Sequence, residues 1–274
     1  MKSPTFAWGT RTFVMAILNA TPDSFSGDGL NGSVELAAEL ARRAVAEGAD
    51  IIDVGGESTR PGHEPISAAD EIERVVPIVR AVANVVAVPI SIDTSKAVVA
   101  EAAIEAGARI VNDVRGLTAD PALAVVVAHH GLPAVIMHDI SPEPNTDLLT
   151  SITRELDHRV EQALAAGIAQ DKVIVDPGFG FGKDWKQNLE LLRRLPELTS
   201  LGLPILVGLS RKSTIGRVLD LPVEERLEGT LATTALAIAG GADIVRVHDV
   251  LPNVRVARMT DAVCRPDSTA SLAP

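Results

Sequence analysis

The feature that most constrains this chain is a pattern that repeats eight times: a short apolar run, a loop, and a segment with helical periodicity. In the first repeat the apolar run is 13–18, Ser33 is placed to cap a helix, and Gly48 follows the helical segment 34–47. The apolar runs are continuous rather than alternating, which is typical of strands buried on both faces. The pattern therefore predicts parallel strands covered by helices.

The predicted strands are 13–18, 50–54, 88–92, 110–112, 134–137, 173–175, 205–208 and 243–247. The predicted helices are 34–47, 68–83, 96–106, 121–130, 147–166, 187–195, 213–219, 223–239 and 251–263. Strict alternation implies right-handed crossovers. Eight strand–helix units without a linker predict a single-domain (β/α)8 TIM barrel over 13–264, with a lead-in over 1–12 and a flexible tail over 265–274. The alternative is a doubly wound open sheet, which usually carries phosphate-binding glycines after its first strand; here that turn contains Thr21 and Pro22.

The charge balance argues against two classes of partner. The chain has 25 Lys and Arg residues against 36 Asp and Glu, a net charge of −11, and lacks a basic run, so we expect neither nucleic acid nor an anionic membrane as a partner. No apolar run reaches the roughly 20 residues of a membrane span. The single cysteine, Cys264, fits a reducing compartment, and the first ten residues lack a signal-peptide pattern. We expect a cytoplasmic protein.

Polar residues concentrate at the ends of the predicted strands and are sparse at their starts. They include Asn19, Asp93, Asn112, His138, Asp176, Arg246 and His248, and the stretches 57–60 and 210–213 that follow strands 2 and 7. Function in a (β/α)8 barrel resides at the carboxyl ends of the strands. We therefore predict an active site at the carboxyl-terminal mouth.

The acidic and amide residues of this mouth favour a nitrogen-rich ligand. Asp93, Asn112 and Asp176 each end an apolar strand, so all three could face one buried cavity. Two carboxylates and an amide can accept hydrogen bonds from a heterocycle rich in N–H donors. Each of them alone could instead cap a helix.

The basic residues favour an anion. Arg246 and His248 are two positions apart, so on a strand they face the same way, which suits phosphate or pyrophosphate. The stretch 210–213 contains Lys212 and opens a predicted helix, which is typical of an anion site. That site could equally hold a substrate carboxylate.

Taken together, the strand ends resemble those of the dihydropteroate synthase family of folate biosynthesis. The matching stretches, in the order of the family, are NATPDSF at 19–25, GGESTRPG at 55–62, IDT at 92–94, NDV at 112–114, DPGFG at 176–180, SRKS at 210–213 and RVHD at 246–249. The resemblance implies a (β/α)8 barrel that acts as a homodimer. It also implies small-molecule substrates: the enzyme would join 4-aminobenzoate to 6-hydroxymethyl-7,8-dihydropterin diphosphate with Mg2+ and release diphosphate.

The resemblance also implies a role for individual residues. The pterin would be bound by Asp93, Asn112, Met137, Asp176, Phe181 and Lys212. The diphosphate would be bound by Arg60, Arg246 and His248, and the 4-aminobenzoate by Phe25, Thr59, Pro61 and Ser213. Asn19 would ligate Mg2+. Asp93, Asp176, Lys212 and Arg60 would carry the catalysis.

Two alternatives share the pterin pocket. One is a pterin-binding methyltransferase domain, which would have no need for Thr59 and Arg60; the other is a non-catalytic homologue that only binds. Within the second stretch we interpret Asp53 as part of the strand end rather than as chemistry, and Glu57 has no predicted partner.

Overall fold

The computed structural model describes residue 4 and residues 6–20, 33–57 and 65–265. Its strands are β1 (Phe13–Asn19), β2 (Ile51–Gly55), β3 (Ile90–Asp93), β4 (Ile110–Asp113), β5 (Ala134–Met137), β6 (Val173–Asp176), β7 (Leu206–Val207) and β8 (Ile244–Val247). Its helices are α1 (Val34–Glu47), α2 (Ala68–Ala83), α3 (Ala97–Ala106), α4 (Pro121–His130), α5 (Leu148–Ala165), α6 (Trp185–Arg193), α7 (Ser213–Leu219), α8 (Leu227–Ala239) and α9 (Val250–Cys264).

The eight strands form one parallel sheet that closes into a barrel. Their order is β6-β5-β4-β3-β2-β1-β8-β7, so every strand lies beside its neighbours in the chain and β8 lies beside β1. A parallel bridge between Val175 and Ile205 joins β6 to the residue before β7. This arrangement confirms the predicted (β/α)8 barrel and excludes the doubly wound open sheet.

Local sequence signals explain most element bounds. The Ser33 hydroxyl accepts a hydrogen bond from the Leu36 N–H at the start of α1, and Gly48 adopts the left-handed conformation at its end. The predicted helix over 223–239 is wrong at its start, because a 3-10 turn and then Arg226 precede α8. The guanidinium of Arg226 donates to the backbone carbonyls of Leu221 and Arg211, so a tertiary contact shapes this segment.

The strands extend one residue further than predicted at three important positions. Asn19, Asp93 and Asp176 are the last residues of β1, β3 and β6, whereas Asn112 is the penultimate residue of β4, because this strand ends at Asp113 and not at Asn112 as predicted. Because a strand fixes the direction of each side chain, this extension decides which way the three polar groups point.

The barrel interior is apolar at its amino-terminal end. It is filled by Phe13, Met15, Ile51, Ile110, Val135, Ile174, Leu206 and Ile244. Phe6 and Trp8 pack against this cluster, with the Phe6 and Trp8 rings stacked 4.7 Å apart and Trp8 edge-on to Phe13 at 5.4 Å. These aromatic rings close the bottom of the barrel and leave the carboxyl-terminal mouth as the place for a ligand. No helix in the described part of the chain is long and apolar enough to cross a membrane.

Candidate active site

The alternation of side chains along the strands builds the polar mouth. Residues two positions apart on a strand face the same side, so the residue two places after each inward apolar side chain also points into the barrel. Among those residues are Asp53, Asn112, Met137, Asp176 and Arg246. Asp93 pairs in register with Asn112 and joins the same layer. The interior thus changes from apolar to polar within one layer of side chains.

An ion-pair network lies at the centre of this layer. Arg246 donates from Nε to Oδ2 of Asp53 at 2.6 Å and from Nη2 to Oδ2 of Asp93 at 2.8 Å. Asn112 Nδ2 donates to the same Asp53 oxygen at 3.2 Å. Asp53 is 0% exposed, so its charge depends on these partners. Asp53 lies in β2, as predicted, and in addition it holds Arg246, a contact that the sequence interpretation did not include.

The signal that could have identified Asp53 was its position. It lies two residues after Ile51, which faces the barrel interior, so the same alternation that places Arg246 also places Asp53. An acidic residue inside an apolar strand requires a compensating charge in the folded protein. Its partner lies on β8, at the other end of the chain.

The two acidic residues predicted to bind the heterocycle are both buried. Burial raises the pKa of Asp93 to about 7, although Arg246 acts to lower it. Burial likewise raises the pKa of Asp176 to about 6, opposed by the Gly178 N–H and by Lys212. Oδ1 of Asp176 accepts that N–H hydrogen bond at 2.7 Å. Each carboxylate would be stabilised further by N–H donors of a ligand.

Phe181 and Lys212 form one wall beside these acids. The Lys212 Nζ atom lies 4.1 Å from the centroid of the Phe181 ring, a cation–π contact. Gly180 makes this approach possible, because a Cβ atom there would lie 3.0 Å from Lys212 Cδ and the glycine has φ +85°. This wall presents a flat ring and a positive charge to the mouth. Met137, also predicted to contact the pterin, is buried at the end of β5.

His248 carries no charge in this environment. Burial and the nearby positive charges of Arg246 and Arg211 lower its pKa to about 3. The Ser210 hydroxyl accepts from the His248 backbone N–H at 3.2 Å and lies 3.0 Å from Nδ1. A hydroxyl proton donated to Nδ1 favours the tautomer with its proton on Nε2. The imidazole can therefore serve an anion as a neutral donor.

The stretch 210–213 is held by Asp249, the residue that precedes α9. Arg211 has φ +57° and binds the Asp249 carboxylate through two nitrogens, at 2.7 and 3.0 Å. This contact holds the turn that presents Lys212, and Ser213 is exposed as the first residue of α7. Asp249 was not predicted as part of the site.

The remaining predicted residues divide into two groups. Asn19 is half-buried at the end of β1 and pairs in register with Gly55. Four predicted residues lie outside the described residues: Phe25, Thr59, Arg60 and Pro61. Over 6–20, 33–57 and 65–265, no group of three or more His, Cys, Asp or Glu side chains is arranged to hold a metal ion.

Glu57 has a partner that the sequence did not suggest. Lys96 Nζ lies 2.5 Å from Oε2 of Glu57, 2.6 Å from Oε2 of Glu71 and 2.9 Å from the Ile66 carbonyl. The Ile66 N–H in turn donates to Glu57. Glu57 and Ile66, which flank residues 58–64, are thus both bound by Lys96 at the start of α3, and Lys96 also binds Glu71 on α2.

The mouth of this barrel combines buried hydrogen-bond acceptors with basic groups, and the chain belongs to the class of pterin-binding enzymes, because the family described as pterin binding enzyme matches residues 15–248. The chain is 49% identical to a dihydropteroate synthase of Clostridium beijerinckii over 264 residues, 96% of this chain and 98% of that protein. It is 47% identical to the Bacillus subtilis dihydropteroate synthase, over 96% and 92% of the two chains. The chain belongs to the dihydropteroate synthase family.

Solved structures agree with the sequence relatives. The dihydropteroate synthase from Clostridium difficile in the presence of pteroic acid matches with a TM-score of 0.90 and 49% identity, over 95% of this chain and 100% of that chain. The Yersinia pestis dihydropteroate synthase in a sulfonamide drug complex matches with a TM-score of 0.89 and 42% identity, over 96% and 98% of the two chains.

Proposed function

We propose that the protein is a transferase that condenses 6-hydroxymethyl-7,8-dihydropterin diphosphate with 4-aminobenzoate to give 7,8-dihydropteroate and diphosphate. The observation that carries the proposal is the polar layer of the barrel. Asp93, Asn112 and Asp176 lie in it as hydrogen-bonding groups, next to the wall formed by Phe181 and Lys212. A pterin is a flat ring rich in N–H donors, so its edge suits the acids and its face suits the wall.

The buried acids serve both binding and chemistry. Each carboxylate has a raised pKa because it lacks solvent, and the N–H groups of a pterin would replace part of that lost hydration. When the diphosphate departs, positive charge develops on the pterin methylene. The carboxylates of Asp93 and Asp176, held beside the ring, stabilise that charge. The arylamine then needs correct positioning more than a strong base.

The basic groups serve the leaving diphosphate. Arg246 is oriented by Asp53 and Asp93, and the neutral His248 offers Nε2–H as a donor. Such donors stabilise negative charge on departing oxygens when they are already in place. Arg60 would add a third basic group, a role that rests on the resemblance of its stretch of sequence to the family. Lys212 belongs to the pterin wall.

The role of Mg2+ rests on the chemistry of Asn19. Its amide oxygen is a hard ligand of the kind that Mg2+ accepts, and this ion is usually held by one or two protein groups together with waters and substrate phosphates. A sparse set of protein ligands at the mouth therefore fits a metal that arrives with the diphosphate. When bound, Mg2+ would neutralise charge on the leaving group. Asn19 would orient it.

The 4-aminobenzoate site is proposed at Phe25, Thr59, Pro61 and Ser213. Ser213 is exposed directly after Lys212, so it lies next to the pterin wall, where the amine must reach the methylene.

We also propose that the protein is a homodimer through α8 and α9. Leu236 on α8 is 59% exposed, and Met259 and Val263 on α9 are 66% and 69% exposed. The two helices pack side by side, and exposed apolar side chains on neighbouring helices are typical of a protein interface. Leu236→Glu should shift the mass measured by light scattering after size exclusion from dimer to monomer, whereas the exposed Val125→Glu on α4 should leave it unchanged. A monomeric wild type would contradict the proposal.

One assay tests the proposed activity. Purified protein, Mg2+, the dihydropterin diphosphate and labelled 4-aminobenzoate should yield labelled dihydropteroate. A pterin-binding methyltransferase domain or a non-catalytic homologue would bind the pterin and form no such product. Absence of product with protein that binds pterin would therefore refute the synthase. A cytoplasmic location stays a prediction.

A further inference from the structure

Lys183 lies between the loops that follow β5 and β6 at the mouth of the barrel. Its Nζ atom is 2.9 Å from Nδ1 of His138, 3.0 Å from the Phe181 carbonyl oxygen and 3.2 Å from the Gly178 carbonyl oxygen. His138 directly follows β5 and is completely buried, whereas Gly178 and Phe181 belong to the turn after β6. One ammonium group thus joins the two loops.

The two loops touch along their backbones at this joint. Gly178 has φ +71°, and a Cβ atom there would lie 1.8 Å from the His138 carbonyl oxygen. Gly182 has φ +61°, and a Cβ atom there would lie 2.2 Å from the Ile140 carbonyl oxygen. Only glycine allows this approach. The two loops are therefore in tight backbone contact here, and neither has much room to shift against the other.

The charge state of the joint is consistent with this geometry. Burial, together with the charges of Lys183 and Arg159, lowers the pKa of His138 to about 3, so its imidazole is neutral. Its Nδ1 atom can then accept a hydrogen bond from the lysine. Burial lowers the pKa of Lys183 to about 7, while Asp176 and Asp139 favour its charged form.

The joint reaches the proposed pterin site through two short connections. The Gly178 N–H donates to Oδ1 of Asp176 at 2.7 Å. The Nζ atom of Lys212 lies 4.1 Å from the centroid of the Phe181 ring. Both Gly178 and Phe181 hold Lys183 through their carbonyl groups. A displacement of this turn would move an acid and the aromatic wall together.

We propose that Lys183 is a positioning residue for the pterin site: it fixes the turn 178–182 on the loop after β5 and thereby sets the place of Asp176 and Phe181. This inference rests on the proposed function. The effect is specific to the pterin, because the residues proposed for 4-aminobenzoate follow β1, β2 and β7. Sequence reasoning gave Lys183 no role.

The test is a comparison of Lys183→Met with Lys186→Met, which removes an exposed lysine three positions away. We expect Lys183→Met to raise KM for the dihydropterin diphosphate by about tenfold or more, since small misplacements at an active site carry large effects. KM for 4-aminobenzoate should stay within about twofold. Calorimetric binding of pteroic acid should weaken with the pterin KM, and Lys186→Met should match wild type in all three measurements.

A second pair of variants tests the joint from its other side. His138→Leu removes the acceptor of the lysine and should reproduce the pterin effect of Lys183→Met. His138→Asn retains a side-chain acceptor and should remain closer to wild type. The Lys183→Met/His138→Leu double variant should be no worse than Lys183→Met alone, because the contact with His138 is already lost when Lys183 is replaced. This pair decides the question even where Lys183→Met does not fold.

The possible failures are distinguishable. Wild-type protein that forms no dihydropteroate would overturn the proposed function. An active wild type whose Lys183→Met variant retains its pterin KM would overturn the positioning role alone. An equal rise in both KM values together with a lower melting temperature would also overturn it, because it would indicate general loosening of the fold.

Discussion

Replacing Arg246 with methionine should destabilise the fold as well as slow the reaction. The guanidinium holds Asp53 at 2.6 Å and Asp93 at 2.8 Å, and Asp53 has no access to water. Removal of one partner from a buried ion pair typically costs about 3–5 kcal/mol, because the other charge remains without compensation. We expect a loss of that size in the free energy of unfolding of Arg246→Met.

The loss should increase above neutral pH. Arg246 acts to lower the pKa of Asp93, which nevertheless stands at about 7, above its ordinary value. A carboxyl with a raised folded-state pKa favours the fold when protonated, and that stability is lost as the pH rises through the folded-state pKa. Without Arg246 the pKa of Asp93 rises further. Below about pH 7 the two proteins share a protonated Asp93. Between about pH 7 and the higher pKa of Asp93 in the variant, the variant should lose about 1.4 kcal/mol more per pH unit than wild type.

Urea unfolding followed by circular dichroism at pH 6 and pH 8 measures both quantities. The double variant Asp53→Asn/Arg246→Met removes the uncompensated charge and should recover most of the stability at pH 6. Its turnover should still be about a hundredfold below wild type, because the donor to the leaving diphosphate is gone.

Two results would refute this reasoning. Equal stability of Arg246→Met and wild type at both pH values would show that the ion pair with Asp53 does not support the fold. Recovery of turnover in the double variant would remove Arg246 from the diphosphate site.

Three further predictions concern the same mouth. As pH falls through about 7 and about 6, protonation of Asp93 and Asp176 should lower kcat/KM for the dihydropterin diphosphate. Asp93→Asn should remove the transition near pH 7 from the pH profile of kcat/KM. A profile that is flat from pH 5 to 8 would contradict this prediction. Gly178→Ala should weaken pteroic acid binding by calorimetry, because its Cβ would meet the His138 carbonyl, and unchanged affinity would show that the turn can shift. Sulfonamides mimic 4-aminobenzoate and should inhibit competitively against it in initial-rate kinetics; non-competitive inhibition would contradict the proposed pocket.

The amino-acid sequence was sufficient for the architecture and for most of the mouth. Asn112 and Asp176 could be assigned to one cavity because each lies at the carboxyl-terminal end of an apolar run and parallel strands align their carboxyl ends. The prediction was incomplete where a role depended on a partner far along the chain. No partner was predicted for Glu57, yet Lys96 binds it from the start of α3, 39 positions away.

What the sequence determined by itself follows from interactions within a few residues. Continuous apolar runs specify buried strands, and Ser33 and Gly48 specify where α1 begins and ends, because these signals act through neighbouring backbone groups. The tertiary structure decided which charges meet. Arg246 and Asp53 are 193 positions apart, and Arg246 and Asp93 are 153 apart. They form one buried network because closure of the barrel brings β8 beside β1, excludes water, and places the guanidinium of Arg246 against both carboxylates.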